Sequence, residues 1–258
     1  MKKVAVLGCG NMVQALLKSK SLDCESFEFH LFNPTFSKAD KLASQIGAQA
    51  YREIKEMPLC DYYLLGCKPQ QIESLSLMLK GIIPKSSTIL SILAAVNIER
   101  IQFLFSHDLV ARIMPNLPTQ FDKGIILLFS AQEDSFLEKM WQGETLTFKC
   151  HSEDELDKLT ILTASGPGIL LFILQEFYAS FGLNSSYNHL LVKLFEGTSD
   201  WLTQSEDKND LHKLIQSVCS KGGVTQRYIE ELSDQKIQST FNNSFNKSLD
   251  RLKELSLF

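Results

Sequence analysis

The chain has 258 residues, 44% hydrophobic and 22% charged, enough to bury a substantial core in one large domain or two ordinary ones. A formal net charge of -4 and the lack of any long basic run exclude a surface built for a phosphate backbone, so nucleic acid is not an expected partner. The six cysteines form no CxxC pair and the five histidines no HxH or HxxxH pair; no metal site is expected, and the thiols read as reduced in a cytoplasmic protein.

From the start, short apolar runs alternate with longer amphipathic ones: VAVLG, then NMVQALLKSKS; FEFHLFN, then KADKLASQIGA; then DYYLLGC, QQIESLSLMLKGII, STILSIL, NIERIQFLF and DLVARIM. Strand patterns alternating with helical ones predict βαβ units and a doubly wound parallel sheet of Rossmann type. GIILLFS (Gly124 to Ser130) and TLTFKC (Thr145 to Cys150) predict later strands. The N-terminal MKK and the apolar residues after it form a first strand rather than a signal peptide, because Gly8, Gly10 and Asn11 cut the run short.

After His151 the texture changes. An acidic SEDELDKL leads into long helical patterns with no strand through Phe258, which places a boundary between a sheet domain, 1–152, and an all-helical domain, 153–258. The most apolar stretch, Leu159 to Leu183, is interrupted by Ser165-Gly166-Pro167-Gly168 and by Gln175-Glu176. It predicts a buried helix and no membrane span. The acidic Glu153-Asp154-Glu155 complements a helix start.

The stretch VLGCGNMV places Gly8 at a sharp turn and Gly10 where a pyrophosphate must come close, with Asn11 and Met12 opening the next helix. The third small position is Val13, which is expected to push that helix slightly outward. At the end of the second strand stand Asn33, Pro34 and Thr35, then Ser37 and Lys38, with no carboxylate for a ribose. Hydroxyls and a cation there favour NADP (NADPH) over NAD. A turn with a helix cap explains Thr35 and Ser37 equally well.

Several segments line up in order with one family. The chain resembles the pyrroline-5-carboxylate reductases through GCGNM (Gly8 to Met12), NPT (Asn33 to Thr35), CKPQ (Cys67 to Gln70), SILAAV (Ser91 to Val96), RIMPNLP (Arg112 to Pro118), SGPG (Ser165 to Gly168) and SKGGVT (Ser220 to Thr225). The last two together are the specific pair. The resemblance implies a Rossmann domain followed by a helical dimerisation domain, hence a homodimer or a larger homo-oligomer. It implies an NAD(P)H-dependent reduction of 1-pyrroline-5-carboxylate to L-proline, with hydride going to the imine carbon.

The same resemblance extends the cofactor site from Gly8, Gly10, Asn11, Met12, Asn33, Pro34 and Thr35 to Lys68, Pro69, Ala94, Asn116, Ser165, Gly166 and Pro167. It makes Ser220, Gly222, Gly223, Val224 and Thr225 the substrate turn, with the Thr225 hydroxyl donating to the ring nitrogen. The departures are small. Pro34 stands for a frequent Arg, Ala95 for Gly, Leu117 for Thr and Lys221 for Pro, while Ala164 and Gly168 exchange small residues around the GP turn. Lys221 adds a cation beside the carboxylate site and leaves a looser loop.

Read without the resemblance, GG between helices is a C-cap followed by an N-cap threonine. Two other functions fit the same outline. A β-hydroxyacid-type dehydrogenase or another imine reductase shares the two halves, and Lys193 is the one mid-helix lysine for its acid/base, although Glu196 and Gly197 stand where an Asn is expected. A non-catalytic NAD(P)-binding relative is the third.

Overall fold

The computed structural model describes residues 1–256. Its first part alternates β1 (Lys2–Leu7), α1 (Asn11–Leu17), β2 (Phe27–Phe32), α2 (Phe36–Ile46), β3 (Gln49–Tyr51), β4 (Tyr62–Leu65), α3 (Ile72–Met78), β5 (Thr88–Ser91), α4 (Ile98–Phe105), β6 (Val110–Pro115), β7 (Ile125–Ser130), α5 (Ser135–Lys139) and β8 (Leu146–Lys149). From residue 153 the regular elements are helices: α6 (Glu153–Thr163), α7 (Gly166–Ala179), α8 (Asn188–Gln204), α9 (Leu211–Ser217), α10 (Val224–Asp234) and α11 (Ile237–Ser256). The mixed α/β class and the helical second part agree with the pattern of the sequence. The short β3 and α5 were not anticipated.

The strands form one sheet in the order β3-β2-β1-β4-β5-β6-β7-β8, parallel except for the antiparallel pair β6 and β7. Along β1, Val4 and Val6 enter the core that α1 and α2 cover, whereas Ala5 and Leu7 enter the core under α3 and α4. Both faces are buried, which is why these strands are continuously apolar rather than alternating with polar residues. The register pairs Leu7 with Phe32 on one side and with Leu65 on the other, so β1, β2 and β4 end level.

The chain leaves β1 toward β2 and later returns to β4 on the opposite side. A crevice opens where the direction reverses.

By packing, the described residues divide into two compact units, 1–167 with 248–256, and Gly168–Lys247. The first continues past His151 because α6 lies on the sheet: Leu156 is buried with Met114 of β6 and Leu127 of β7. In the second, large apolar side chains of α7 and α8 remain on the surface, Leu171 at 67% and Phe172 at 62% exposure among them. The expectation of a buried helix at Leu159 to Leu183 is thus corrected for the single chain. By length and composition alone, Glu153–Ala179 is also apolar enough to cross a membrane, an 18-residue window within it having a mean hydropathy of 1.4.

Arg112 on β6 is 1% exposed at its side chain and holds α6 by two ion pairs, to Glu153 at 2.7 Å and Asp157 at 2.8 Å. The same Glu153 oxygen accepts the Ile98 N–H at 2.9 Å at the start of α4. Glu153→Ala therefore leaves a buried guanidinium with one partner and strips a helix start of its acceptor. The expected loss is about 2–3 kcal/mol, below the range for a fully buried pair because Asp157 remains. Urea unfolding measures it, and a loss under about 0.5 kcal/mol, the size of an ordinary surface change, would show that water replaces the pair freely.

Candidate functional site

Three loops meet at the crevice. Gly8 N–H donates to Phe32 O at 2.8 Å and Gly66 N–H to Leu7 O at 2.9 Å, tying the exits of β1, β2 and β4 together. Gly8 has φ +110, and a Cβ there would lie 2.6 Å from the Gly66 carbonyl oxygen. Only glycine fits that approach. Gly10 is the opposite case, since a Cβ built on it meets nothing nearer than 4.0 Å. The space above it is open, which fits a site where a phosphate is to approach a backbone amide.

Val13 is fully buried, and the room for it comes from across the turn, where a Cβ on Gly66 would sit 2.4 Å from Val13 Cγ2. The helix does not need to move outward as the sequence suggested, because Gly66 lacks the atom that would push it.

Two adjoining clefts flank this turn. One, of about 300 Å³, is lined by Gly8, Gly10, Asn33, Pro34, Thr35, Lys38 and Lys68, joined by Gln71, Ser74 and Met78. The other, of about 470 Å³, takes in Gly10, Asn11, Met12, Lys68, Pro69 and Ala94. The expected residues from the first half of the chain therefore come together, apart from Asn116. Gln71, Ser74 and Met78 were not foreseen; their spacing along one helical face was the available signal.

Asn33 does not present its amide to the cleft as a free group. Its Oδ1 accepts the Cys9 N–H at 3.1 Å and its Nδ2 donates to Thr35 O at 3.0 Å, bracing the glycine turn against the next loop. Thr35 occupies the cap position of α2 without a side-chain cap bond, so capping does not account for its hydroxyl. Lys38 stands one turn further along α2, and Arg52 lies 4.1 Å over the ring of Phe36, the first residue of that helix. Burial raises the thiols of Cys9 and Cys67 to about 11, which keeps both protonated and unreactive beside the turn at neutral pH.

Asn116 is 4% exposed and lines neither cleft. Its Nδ2 donates to Thr163 O at 3.0 Å and its Oδ1 accepts the Ile125 N–H at 2.9 Å. Of the two groups expected to border a nicotinamide here, the Asn116 side-chain amide or the neighbouring backbone, the amide is bonded inside the protein, to the last turn of α6. Ser165, Gly166 and Pro167 follow directly, at the junction of α6 and α7.

The turn from Ser220 to Gly223 leads into α10 in the second compact unit. Gly223 is the cap residue of α10, and Val224 and Thr225 are its first two helical residues. Both are exposed, and among the described residues the Thr225 hydroxyl has no hydrogen-bond partner. Thr225 is therefore not the N-cap that GG between helices implies when read without the resemblance. Gly223 N–H donates to Ser220 O and Gly222 N–H to the Gln226 side chain, each at 2.8 Å, so two of the amides expected to converge on an anion are engaged. The N–H groups at the start of α10 are those without intrahelical partners. A shallow cleft of about 450 Å³ beside them adds Arg227, Tyr228 and Glu231 to Gly222, Gly223 and Val224.

Comparison with known proteins matches residues 153–255 to a family model described as pyrroline-5-carboxylate reductase dimerisation. Residues 3–95 match one described as NADP oxidoreductase coenzyme F420-dependent. The pyrroline-5-carboxylate reductase of Staphylococcus aureus is 30% identical, the alignment covering 98% of each chain. That of Staphylococcus haemolyticus is 27% identical over the same shares. Among solved structures, a pyrroline-5-carboxylate reductase of Coxiella burnetii superposes with a TM-score of 0.85 at 24% identity, over 99% of this chain and 98% of that one. A Plasmodium falciparum pyrroline carboxylate reductase with NADP bound gives 0.82 at 16%, with the same coverage.

One residue at the clefts carries backbone strain. Ala95, next to Ala94, has φ +62 and is 6% exposed. A side chain in that left-handed region costs about 1–2 kcal/mol, partly offset by the greater freedom glycine has in the unfolded chain. Ala95→Gly is expected to stabilise the protein by about 0.5–1 kcal/mol. Thermal unfolding at fixed protein concentration checks this; an unchanged or lower midpoint would mean that the loop tolerates the alanine without cost.

Proposed function

The chain belongs to the pyrroline-5-carboxylate reductase family, and on that premise we propose that it is an NAD(P)H-dependent oxidoreductase that reduces 1-pyrroline-5-carboxylate to L-proline, the last step of proline biosynthesis. The observation that carries this reading is the exposed hydroxyl of Thr225, without a hydrogen-bond partner among the described residues, at the start of a helix whose first amides have no partner within the helix. An imine bearing a carboxylate needs an anion site beside a proton donor, and these groups supply both.

Gly8 sets the turn and Gly10 leaves room for a pyrophosphate, with Asn11, Met12, Lys68, Pro69 and Ala94 on one side and Asn33, Pro34 and Thr35 on the other. A bound dinucleotide supplies the hydride that adds to the imine carbon. The Val224 and Thr225 amides, with the Ser220 hydroxyl and the shape given by Gly222 and Gly223, hold the carboxylate. The Thr225 hydroxyl donates a hydrogen bond to the ring nitrogen, which takes the electron pair of the C=N bond as the hydride adds; the proton on that nitrogen is the one the iminium form of the substrate brings with it or one drawn from water. Ser165, Gly166 and Pro167 leave space by the nicotinamide. The part of Asn116 is to fix the end of α6 from inside, through Thr163.

For the cofactor we assign NADPH over NADH. Lys38 and Lys68 line the cleft at the second strand with Thr35 and Ser74, and no carboxylate there would repel a 2′-phosphate. For assembly we assign a homodimer or a multiple of it, a second copy covering the apolar faces of α7 and α8; the division of labour runs at 152/153 and the setting is cytoplasmic. Neither nucleic acid nor lipid enters as a partner. The hydroxyacid alternative is weakened by Lys193, which is exposed and pairs with Glu196 at 3.1 Å.

The test is to add pyrroline-5-carboxylate and NADPH to the purified protein and follow absorbance; failure to oxidise the cofactor rejects the assignment. Within it, Thr225→Val should lower kcat by about tenfold to more than a hundredfold, the equivalent of roughly 1.5–3 kcal/mol for a hydrogen bond to a charging group, with cofactor affinity unchanged. A kcat within about twofold of wild type, far less than any such bond, would remove the hydroxyl from the chemistry. Lys38→Glu should raise KM for NADPH about tenfold or more while sparing NADH, as expected for reversing one charge near a phosphate. Equal effects on both cofactors would move the 2′-phosphate contact elsewhere.

A further inference from the structure

The turn at Ser220 to Gly223 holds a device that its sequence conceals. The Gly223 N–H to Ser220 O bond and the left-handed Gly222, φ +69, are the hydrogen bond and the third residue of a type II turn. The second position of such a turn favours proline, whose ring presets φ. Here that position is Lys221, which leaves φ free.

Gln226, on the first turn of α10, reaches back to this segment. Its Oε1 accepts the Gly222 N–H at 2.8 Å, and its Nε2 donates to Glu230 Oε1 at 2.8 Å. A carboxylate only accepts, so the Glu230 contact fixes which way the amide of Gln226 faces and keeps its oxygen on the turn. The left-handed glycine is thereby anchored to the helix that carries Val224 and Thr225, and its own N–H is withdrawn from the amides open to a ligand.

We propose that Gln226 is a positioning residue of the substrate turn, holding Gly222 in place of the rigidity that a proline at 221 would give. The inference rests on the reading of this turn as the carboxylate site. Gln226 touches neither substrate nor reacting atoms; it acts through the angle at which the turn meets the Val224 and Thr225 amides.

The experiment is a substitution cycle on the full-length enzyme. Gln226→Leu should raise KM for pyrroline-5-carboxylate about fivefold, the scale of one lost neutral hydrogen bond, with kcat and KM for NADPH within about twofold of wild type. Adding Lys221→Pro to Gln226→Leu should restore KM, because the ring supplies the missing restraint; Lys221→Ala in the same background should not, which separates rigidity from charge. An unchanged KM in Gln226→Leu, or no recovery with proline, overturns the proposal. The Gly222 amide resonance gives a second readout independent of turnover. It should shift in Gln226→Leu, and an unshifted resonance also overturns the proposal. If the wild-type enzyme reduces no imine, the functional reading has failed, and this resonance still decides whether Gln226 holds Gly222 in the turn.

Discussion

The closeness of two strand exits is the constraint on which the site depends. β1 and β4 are neighbours in the sheet and end level, so their following loops must share one small volume. The Gly66 carbonyl fills the place where a Cβ of residue 8 would be, and Val13 fills the place where a Cβ of residue 66 would be. Each missing atom admits the next group. The loops can therefore pass close enough for Gly10 to stay open above them, and the two clefts lie to either side of the same backbone. A conventional third glycine is unnecessary because the space was taken from the facing loop.

A second constraint fixes α6 on the sheet. Arg112 on β6 and Asn116, still extended just past the end of that strand, sit four residues apart, hence on one face, and they bond the first and last turns of α6. The spans agree. Four strand residues cover about 13 Å and the ten steps from Glu153 to Thr163 about 15 Å of helix. The helix thus runs along the strand, pinned at both ends. Buried ion pairs are not inherently strong stabilisers, but they specify an arrangement, because any other would strand the guanidinium.

Local features of this architecture were legible in the sequence, and distant partners were not. Continuous apolar runs such as VAVLG announced strands buried on both faces, and the GxG turn announced the crevice. β3 is three residues of QAY and α5 is SFLEK, too short for either period to register. The amide of Asn116 could not be assigned, because the acceptor that claims it lies 47 residues away. The accommodation of Val13 was hidden for the same reason. The change of texture after His151 marks where strands cease, but α6 is helical in pattern while packing on the sheet, so composition and contact divide the chain at different points.

Three departures from the expected pattern, Val13, Ala95 and Lys221, fall on backbone restraints, and Thr225, the proposed donor, is not among the changed positions. Val13 is answered by Gly66, a remote partner, and Lys221 by Gln226, a partner five residues on. Ala95 has no such answer and keeps its left-handed strain. A lost restraint of this kind costs about 1 kcal/mol, which a fold with two buried cores can absorb, whereas loss of a hydroxyl that acts only in the transition state falls entirely on the rate. An enzyme that works as proposed can therefore tolerate changes at positions 13, 95 and 221 more readily than at Thr225. The reverse pattern, with intact turns and a missing hydroxyl, would have marked a relative that binds without reacting.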